Sequence, residues 1–317
     1  MPNNCPSVDI VVCNYQNKEI TIKCLDALLD LIYTDYNIIL VDDCSPDDEA
    51  EFFRQRYPDI TVIKNTRNLG PAKTRNIGIS HGCAKYVVTM DNDAKLSALW
   101  LKQMVELMEE DEKIGQAVGK ILFFDHPEKI AAAGGTMLLR GRGFDIGLGE
   151  PADSPKYNKT RQVLYACSAS MIVRRDILNE VGGFCDLYYH GYEDTDLSLR
   201  INTAGYRVVY YPEAVSFHSI SATVNRTIGQ RRTYLWMRNR LLIMMRNYQL
   251  PNLVKYIPAN LRFNLRNCLN QPENFMPFLK SILWIIVNFT SIIRQRKIIN
   301  GHRKVDDKQL EKLFDLN

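Results

Sequence analysis

The first ninety residues alternate short apolar, β-branched runs with segments of helical periodicity, a pattern that few folds accommodate. Val8 to Cys13 reads as a buried strand, after which Ile20, Cys24, Ala27, Leu28 and Leu31 recur at helical spacing. Asn37 to Val41 is a second strand, 48–57 a helix, Ile60 to Ile63 a strand, and Pro71 to Ser80 a helix opened by proline in its first turn. Such alternation builds βαβ units, hence a largely parallel sheet flanked by helices with right-handed crossovers. The expected fold class is therefore α/β, and a ligand of such a sheet binds beyond the carboxyl ends of its strands.

Carboxylates gather at those ends. Asp42 and Asp43 close the second strand, and the run YVVTMDND, Tyr86 to Asp93, ends in Asp91 and Asp93 around an amide. Residues two apart on an extended chain point to the same side, so Asp91 and Asp93 can converge on one point. Hard oxygen donors so placed suit Mg²⁺ or Mn²⁺ better than zinc. Turn formation also favours Asp and Asn, so the tripeptide alone leaves both readings open. A second cluster, GYEDTDLSLR at 191–200, sets Glu193, Asp194 and Asp196 at a helix start that Gly205 ends. Acids there complement the helix dipole, which accounts for one or two of the three. A carboxylate exposed in a cleft also serves as a general base toward a hydroxyl.

Between the clusters, Ser97 is expected to cap a helix carrying Leu101, Met104, Val105 and Met108 on one face. Gly134 to Gly149, with six glycines and two arginines, is expected to be a mobile loop, and Gln162 to Val173 a strand. The alternation stops near residue 218, so 1–220 is read as the catalytic domain and 221–317 as a basic, mainly helical region.

From Ala214 to Pro272 there is no Asp or Glu, yet Arg226, Arg231, Arg232, Arg238, Arg240, Arg246, Lys255, Arg262 and Arg266 occur among aromatic residues. No nucleic-acid module is present, so the expected partner is an anionic membrane surface or a diphosphate-linked lipid. Ser281 to Ile293 is apolar but falls short of the roughly 20 residues that span a bilayer. It reads as an interfacial helix, with a buried core helix as the alternative. The eight cysteines form no CxxC pair, and the amino terminus has no secretory pattern. Both place the expected catalytic part in a reducing cytoplasm, peripheral at the inner face of the cell membrane.

Five segments together carry a resemblance: VDIVVCNYQNKE at the start, LVDDCSPD at 40–47, NLGPAKTRNIGI at 68–79, MDND at 90–93, and YEDTDLSLRINTAGYRVVYYPEAVSFH at 192–218. In that order, over about the first 220 residues, the chain resembles a family 2 glycosyltransferase of the inverting GT-A type, and more narrowly the rhamnosyltransferase-like branch. The resemblance implies that Cys13, Tyr15, Asp42 and Asp43 hold the base and ribose, and that Asn68, Gly70, Arg75 and Asn76 lie against the nucleotide and diphosphate. Asp91 and Asp93 would hold Mg²⁺ or Mn²⁺ beside the nucleotide sugar, with His218 completing the metal or diphosphate site. Asp194 would be the base, with Glu193 second. Cys13 departs from the proline or threonine common in the family. The implied activity is transfer of a sugar from a UDP- or dTDP-type donor to a hydroxyl of a polysaccharide or lipid-linked oligosaccharide. A dehydrogenase is disfavoured because no GxGxxG turn follows the first strand, and a nucleotidyltransferase because no glycine-rich phosphate loop opens the chain. A catalytically silent binding subunit would not need all four acids, Asp91, Asp93, Glu193 and Asp194.

Overall fold

The computed structural model describes residues 7–219 and 231–315. Strand β1 (Val8–Asn14) lies in mid-sheet, where Val8, Ile10, Val11 and Val12 are inaccessible to solvent. Helix α1 (Lys18–Leu29), β2 (Tyr36–Asp42), α2 (Glu49–Arg56), β3 (Thr61–Lys64), α3 (Pro71–His81) and β4 (Tyr86–Asp91) follow. β1 pairs in parallel with both β2 and β4, and β2 with β3, as the strand–helix alternation requires. Cys13 stands in register with both Val41 and Asp91, so the expected strand ends share one edge.

Beyond β4 the chain departs from simple alternation. A short strand β5 (Ala94–Leu96) follows the acidic turn, and α4 begins at Trp100 and runs to Glu110. Ser97 is therefore not the cap; its carbonyl accepts the Trp100 amide in the turn that leaves β5. β6 (Ile114–Phe123) comes next, with β7 (Ile130–Ala132) folded back on it. The glycine-rich segment, expected to be a mobile loop, contains a hairpin, β8 (Gly135–Met137) with β9 (Gly143–Asp145), whose first strand is buried. Gln162 to Val173 also divides, into β10 (Arg161–Gln162) and β11 (Ser170–Arg174). Between them the Leu164 and Tyr165 amides donate to the Gly135 carbonyl, the Ala166 amide to the Ser198 hydroxyl and the Ser168 amide to Asp194. α5 (Arg175–Val181), α6 (Glu193–Thr203) and β12 (Arg207–His218) complete the sheet, in the order β10-β12-β6-β11-β4-β1-β2-β3. β11 runs antiparallel between β4 and β6, and β12 is parallel to β6. The carboxyl end of β12 thus returns to the Asp91 edge, where β5 pairs Ala94 with His218.

The carboxyl-terminal helices are α7 (Arg231–Asn247), α8 (Leu250–Asn270), α9 (Phe275–Val287), α10 (Phe289–His302) and α11 (Asp307–Leu310). Leu241, Leu242, Ile243 and Met244 of α7 share one apolar core with Met137, Leu164, Tyr188 and Leu199 of the sheet half. At its centre Asp196 is wholly buried. It accepts from Arg200 Nε at 2.8 Å, Arg246 Nε at 2.9 Å and Asn247 Nδ2 at 2.8 Å. Burial alone would raise that carboxyl, but the two guanidinium charges hold it well below the usual carboxylate range. Arg238 and Arg246 are accordingly buried rather than presented to a surface, and Arg226 lies outside the described residues. The apolar stretch 281–293 breaks at Asn288, where α9 and α10 bend by 66°. No single described helix is long and apolar enough to cross a membrane; the span 272–302 meets that test only as this bent pair.

Candidate functional site

The end of β1 is fixed by a buried polar network. Asn14 Nδ2 donates to Asp42 Oδ1 and to Glu49 Oε2, both at 2.8 Å, while Thr21 Oγ1 donates to Asn14 Oδ1 at 2.7 Å. Asn92, the amide between the two aspartates, joins this network through Asn14 Oδ1 at 3.0 Å and Thr21 Oγ1 at 2.8 Å. The split lies in the turn after β4, where Asn92 is buried in this network while Asp91 and Asp93 remain half-buried.

Several residues expected to touch nucleotide are held in place by neighbouring elements. Asp42 is inaccessible and its oxygens accept from Asn14 and from the Ser45 amide and hydroxyl. Asp43 is nearly as buried; it accepts from Asn65 Nδ2 and from the Leu69 and Gly70 amides, each at 2.8 Å. Asn76 clamps the Phe184 peptide, donating to its carbonyl at 2.8 Å and accepting its amide at 3.0 Å. Gly70 has φ +80°, and a Cβ there would lie 2.5 Å from the Tyr189 carbonyl. The Tyr189 hydroxyl donates to Asn68 Oδ1 at 2.7 Å, closing the same wall. Cys13 and Tyr15 stay half-buried at the strand end, and burial pushes the Cys13 thiol up to about 12, so it is neutral.

Arg75, expected against the diphosphate, is 2% exposed and lies below the acids. Its guanidinium donates to Asp91 Oδ1 at 2.6 Å and to Glu193 Oε1 at 3.0 Å, joining the two acidic clusters. Burial would raise the Asp91 carboxyl, but the Arg75 and His218 charges outweigh it and hold Asp91 below its ordinary value. On the other side of Asp91, His218 Nε2 lies 3.0 Å from Asp93 Oδ1 and 3.9 Å from Asp91 Oδ2. Asp91, Asp93 and His218 each offer a donor atom, all within 4.8 Å of one another. Two carboxylate oxygens and an imidazole nitrogen, gathered in a partly open cleft, could hold a divalent cation.

Asp194 differs from its neighbour. Glu193 is buried against Arg75, whereas Asp194 is half-buried and, among the described residues, hydrogen-bonds only the Ser168 amide at 3.3 Å and groups within its own helical turn. Desolvation first, then the Glu193 charge, lifts the Asp194 carboxyl to about 6, with Arg75 opposing. Such a carboxylate is ionised at neutral pH yet basic enough to take a hydroxyl proton.

One cleft residue has no counterpart in the sequence-based expectations. Asp145, at the end of β9, is half-buried, accepts from the Tyr165 hydroxyl at 3.0 Å, and is lifted to about 6 by desolvation and the Asp194 charge. Its segment reads as a glycine-rich connection; only the β-strand pairing of Gly135 with Asp145 brings it to the site.

A family model described as Glycosyl transferase family 2 matches residues 9–182, more than half of the 317-residue chain. The pre-mycofactocin glycosyltransferase of Mycobacterium tuberculosis is 27% identical over 198 residues, covering 62% of this chain and 40% of that protein. Glycosyltransferase AglE of Haloferax volcanii is 23% identical over 252 residues, covering 76% of this chain and 78% of its own. The chain thus spans less than half the length of the mycobacterial relative. Among solved structures, GalNAc-T7 with UDP, GalNAc and Mn²⁺ superposes with a TM-score of 0.64 at 14% identity, over 91% of this chain and 58% of that one. The Pyrobaculum calidifontis mannosyltransferase in complex with GDP-Man and Mn²⁺ gives 0.58 at 16% identity, over 95% and 87%. At such identities what is shared is the fold.

Proposed function

The chain belongs to glycosyl transferase family 2, and from that premise we propose that it transfers a sugar from a nucleoside-diphosphate donor to an acceptor hydroxyl with inversion. The observation that carries this reading is the division of labour around Arg75. One buried guanidinium holds Asp91 and Glu193 in place, and leaves Asp194 as a raised, accessible carboxylate. Asp194 takes the proton from the acceptor hydroxyl as it attacks the anomeric carbon opposite the departing nucleoside diphosphate, so a single displacement inverts the centre. Asp91, Asp93 and His218 would hold Mg²⁺ or Mn²⁺, whose charge offsets that of the diphosphate. The solved neighbours carry a nucleotide or nucleotide sugar with Mn²⁺, which supports such a site without choosing the base. A UDP- or dTDP-type donor, rhamnose as the sugar, and a polysaccharide or lipid-linked acceptor of the cell envelope are the finer readings we attach to it.

Thermal melting with UDP, dTDP, GDP and CDP, each with and without Mn²⁺ or Mg²⁺, is the test. A ligand that binds only the folded state raises the melting temperature, by about 2.7 kcal/mol of stability at a hundredfold excess over Kd. One preferred diphosphate that needs the cation is the expected result. No shift with any nucleotide would turn the reading toward a silent binding subunit.

The same proposal places the chain at the inner face of a membrane. Leu269, Val287, Val254 and Ile286 are 75%, 71%, 69% and 64% exposed, and Lys255, Arg262, Arg266, Lys280, Arg294 and Lys297 are exposed around them. Apolar surface rimmed by cations suits an anionic bilayer. Co-sedimentation with phosphatidylglycerol vesicles should be strong for the wild type and weak for a Leu283→Ser, Val287→Ser double variant; equal recovery of both would sink the idea.

A further inference from the structure

The β8–β9 hairpin is locked to the start of α6, the helix that carries the proposed base. The Gly143 amide donates to the Tyr192 hydroxyl at 3.2 Å, and Arg240 Nε of α7 donates to the same oxygen at 3.2 Å. Tyr192 immediately precedes Glu193 and holds φ +74°, a left-handed conformation costly for a tyrosine. On the other strand a Cβ at Gly135 would lie 2.1 Å from the Tyr165 ring, so that ring is pressed flat on the hairpin. The hairpin tip is held as well, since Asn260 Nδ2 of α8 donates to the Arg140 carbonyl at 2.8 Å. Asp145 lies two residues beyond Gly143, and Asp194 two beyond Tyr192, so the clamp sets the two carboxylates into one cleft.

Tyr165 occupies Asp145 Oδ1, and among the described residues there is no hydrogen bond to Oδ2 and no ion pair within 4.0 Å, the His218 charge acting on Asp145 only from farther off. A carboxylate is acceptor-only. An oriented carboxylate with one oxygen free, in a cleft that handles sugars, has hydroxyl groups as its natural donors. We propose that Asp145 is a sugar-binding residue of this site, accepting a hydroxyl of the donor sugar or of the acceptor sugar. This inference rests on the transferase reading and deepens it: the carboxyl-terminal helices, through Arg240 and Asn260, position the side of the cleft that reads the sugar.

The test compares the wild type with Asp145→Asn, which keeps the shape and an acceptor for Tyr165 but removes the charge. Stabilisation by the preferred nucleoside diphosphate with Mn²⁺ should be the same in both, which also shows that the variant is folded. Binding is then measured for UDP-glucose, UDP-N-acetylglucosamine, GDP-mannose and dTDP-glucose, together with hydrolysis of each to water and transfer to a panel of octyl glycosides. If the hydroxyl is the donor's, Asp145→Asn loses the extra affinity of nucleotide sugar over diphosphate, by about 10- to 100-fold. If it is the acceptor's, that extra affinity and hydrolysis persist while the KM for the octyl glycoside rises by a similar factor with kcat little changed. Retention of both sugar affinity and acceptor KM would overturn the assignment of Asp145 alone. Failure of the wild type to bind any nucleoside diphosphate would instead overturn the transferase reading, and this inference with it.

Discussion

Asp91 and Asp194 both lie half-buried in the field of one guanidinium, yet Arg75 donates to Asp91 and not to Asp194. The Asp91 carboxyl is held below its ordinary value and that of Asp194 is raised to about 6. The neighbours of each diverge in a matching way. In the turn after β4, Asn92 is drawn inward by the Asn14–Thr21 network, and Asp91 and Asp93 stay half-buried on either side of it. In α6 every residue from Glu193 to Thr203 except Asp194 is buried, Glu193 on Arg75 and Asp196 on Arg200 with Arg246, so Asp194 alone stays half-buried at the cleft. Two acidic runs of similar composition therefore take different roles because different partners claim their members.

The largest effect that would break this comparison is at Asp194. Asp194→Asn removes the proton acceptor and leaves Arg75, Asp91 and Glu193 in place, so transfer should fall by about 10²- to 10⁴-fold. Stabilisation by a nucleoside diphosphate and Mn²⁺ should persist. Near wild-type turnover would show that Asp194 is not the base.

Asp196 comes next, and its effect belongs to stability. Asp196→Ala leaves Arg200 and Arg246 buried without a counter-charge, a loss of about 3–5 kcal/mol, read as a lower urea midpoint. The sign with pH follows from the depressed carboxyl. Its contribution is complete above the ordinary aspartate value near 4 and is lost as pH falls below it toward the folded value. An Asp196→Ala variant as stable as wild type at pH 7 would mean that the Asp196 ion pairs add nothing to the hold of α7 on the sheet.

The first half of the sheet was legible because its strands and helices alternate one for one, and β1 to β4 follow from short apolar runs. The second half was not, for reasons visible at particular residues. Gln162 to Val173 looks continuous by hydropathy, but the amides of Ala166 and Ser168 are claimed by Ser198 and Asp194, some 30 residues away in sequence. Of the site, the acids and His218 were legible as types at spacings, since strand ends collect ligands. The burial of Asp42 and Arg75 was not, because it depends on Asn14, Ser45 and Glu193 arriving from other elements. Asp145 could have been found only by weighing the lone carboxylate at the end of the glycine-rich segment. The basic character of α7 misled in the opposite direction, since Arg238 and Arg246 are drawn inward, Arg246 by Asp196 and Arg238 to the Trp284 ring at 4.6 Å.

The smallest effect is the sharpest test of what sets Asp194 apart. Transfer needs the Asp194 carboxylate, so kcat should be half-maximal near pH 6, rise above it, and fall tenfold per unit well below it. After desolvation, the Glu193 charge is the next cause of that elevation, and Arg75 works against it. Glu193→Gln removes the negative charge and leaves more of the Arg75 field to act on Asp194, so both changes favour the carboxylate. The half-point should therefore move to lower pH, while nucleoside diphosphate binding at pH 8 changes little. A half-point that stays put would assign the elevation to desolvation alone. One that moves upward would mean that Arg75 turns wholly toward Asp91 once Glu193 is neutral, which would make Glu193 the residue that keeps the guanidinium shared between the two clusters.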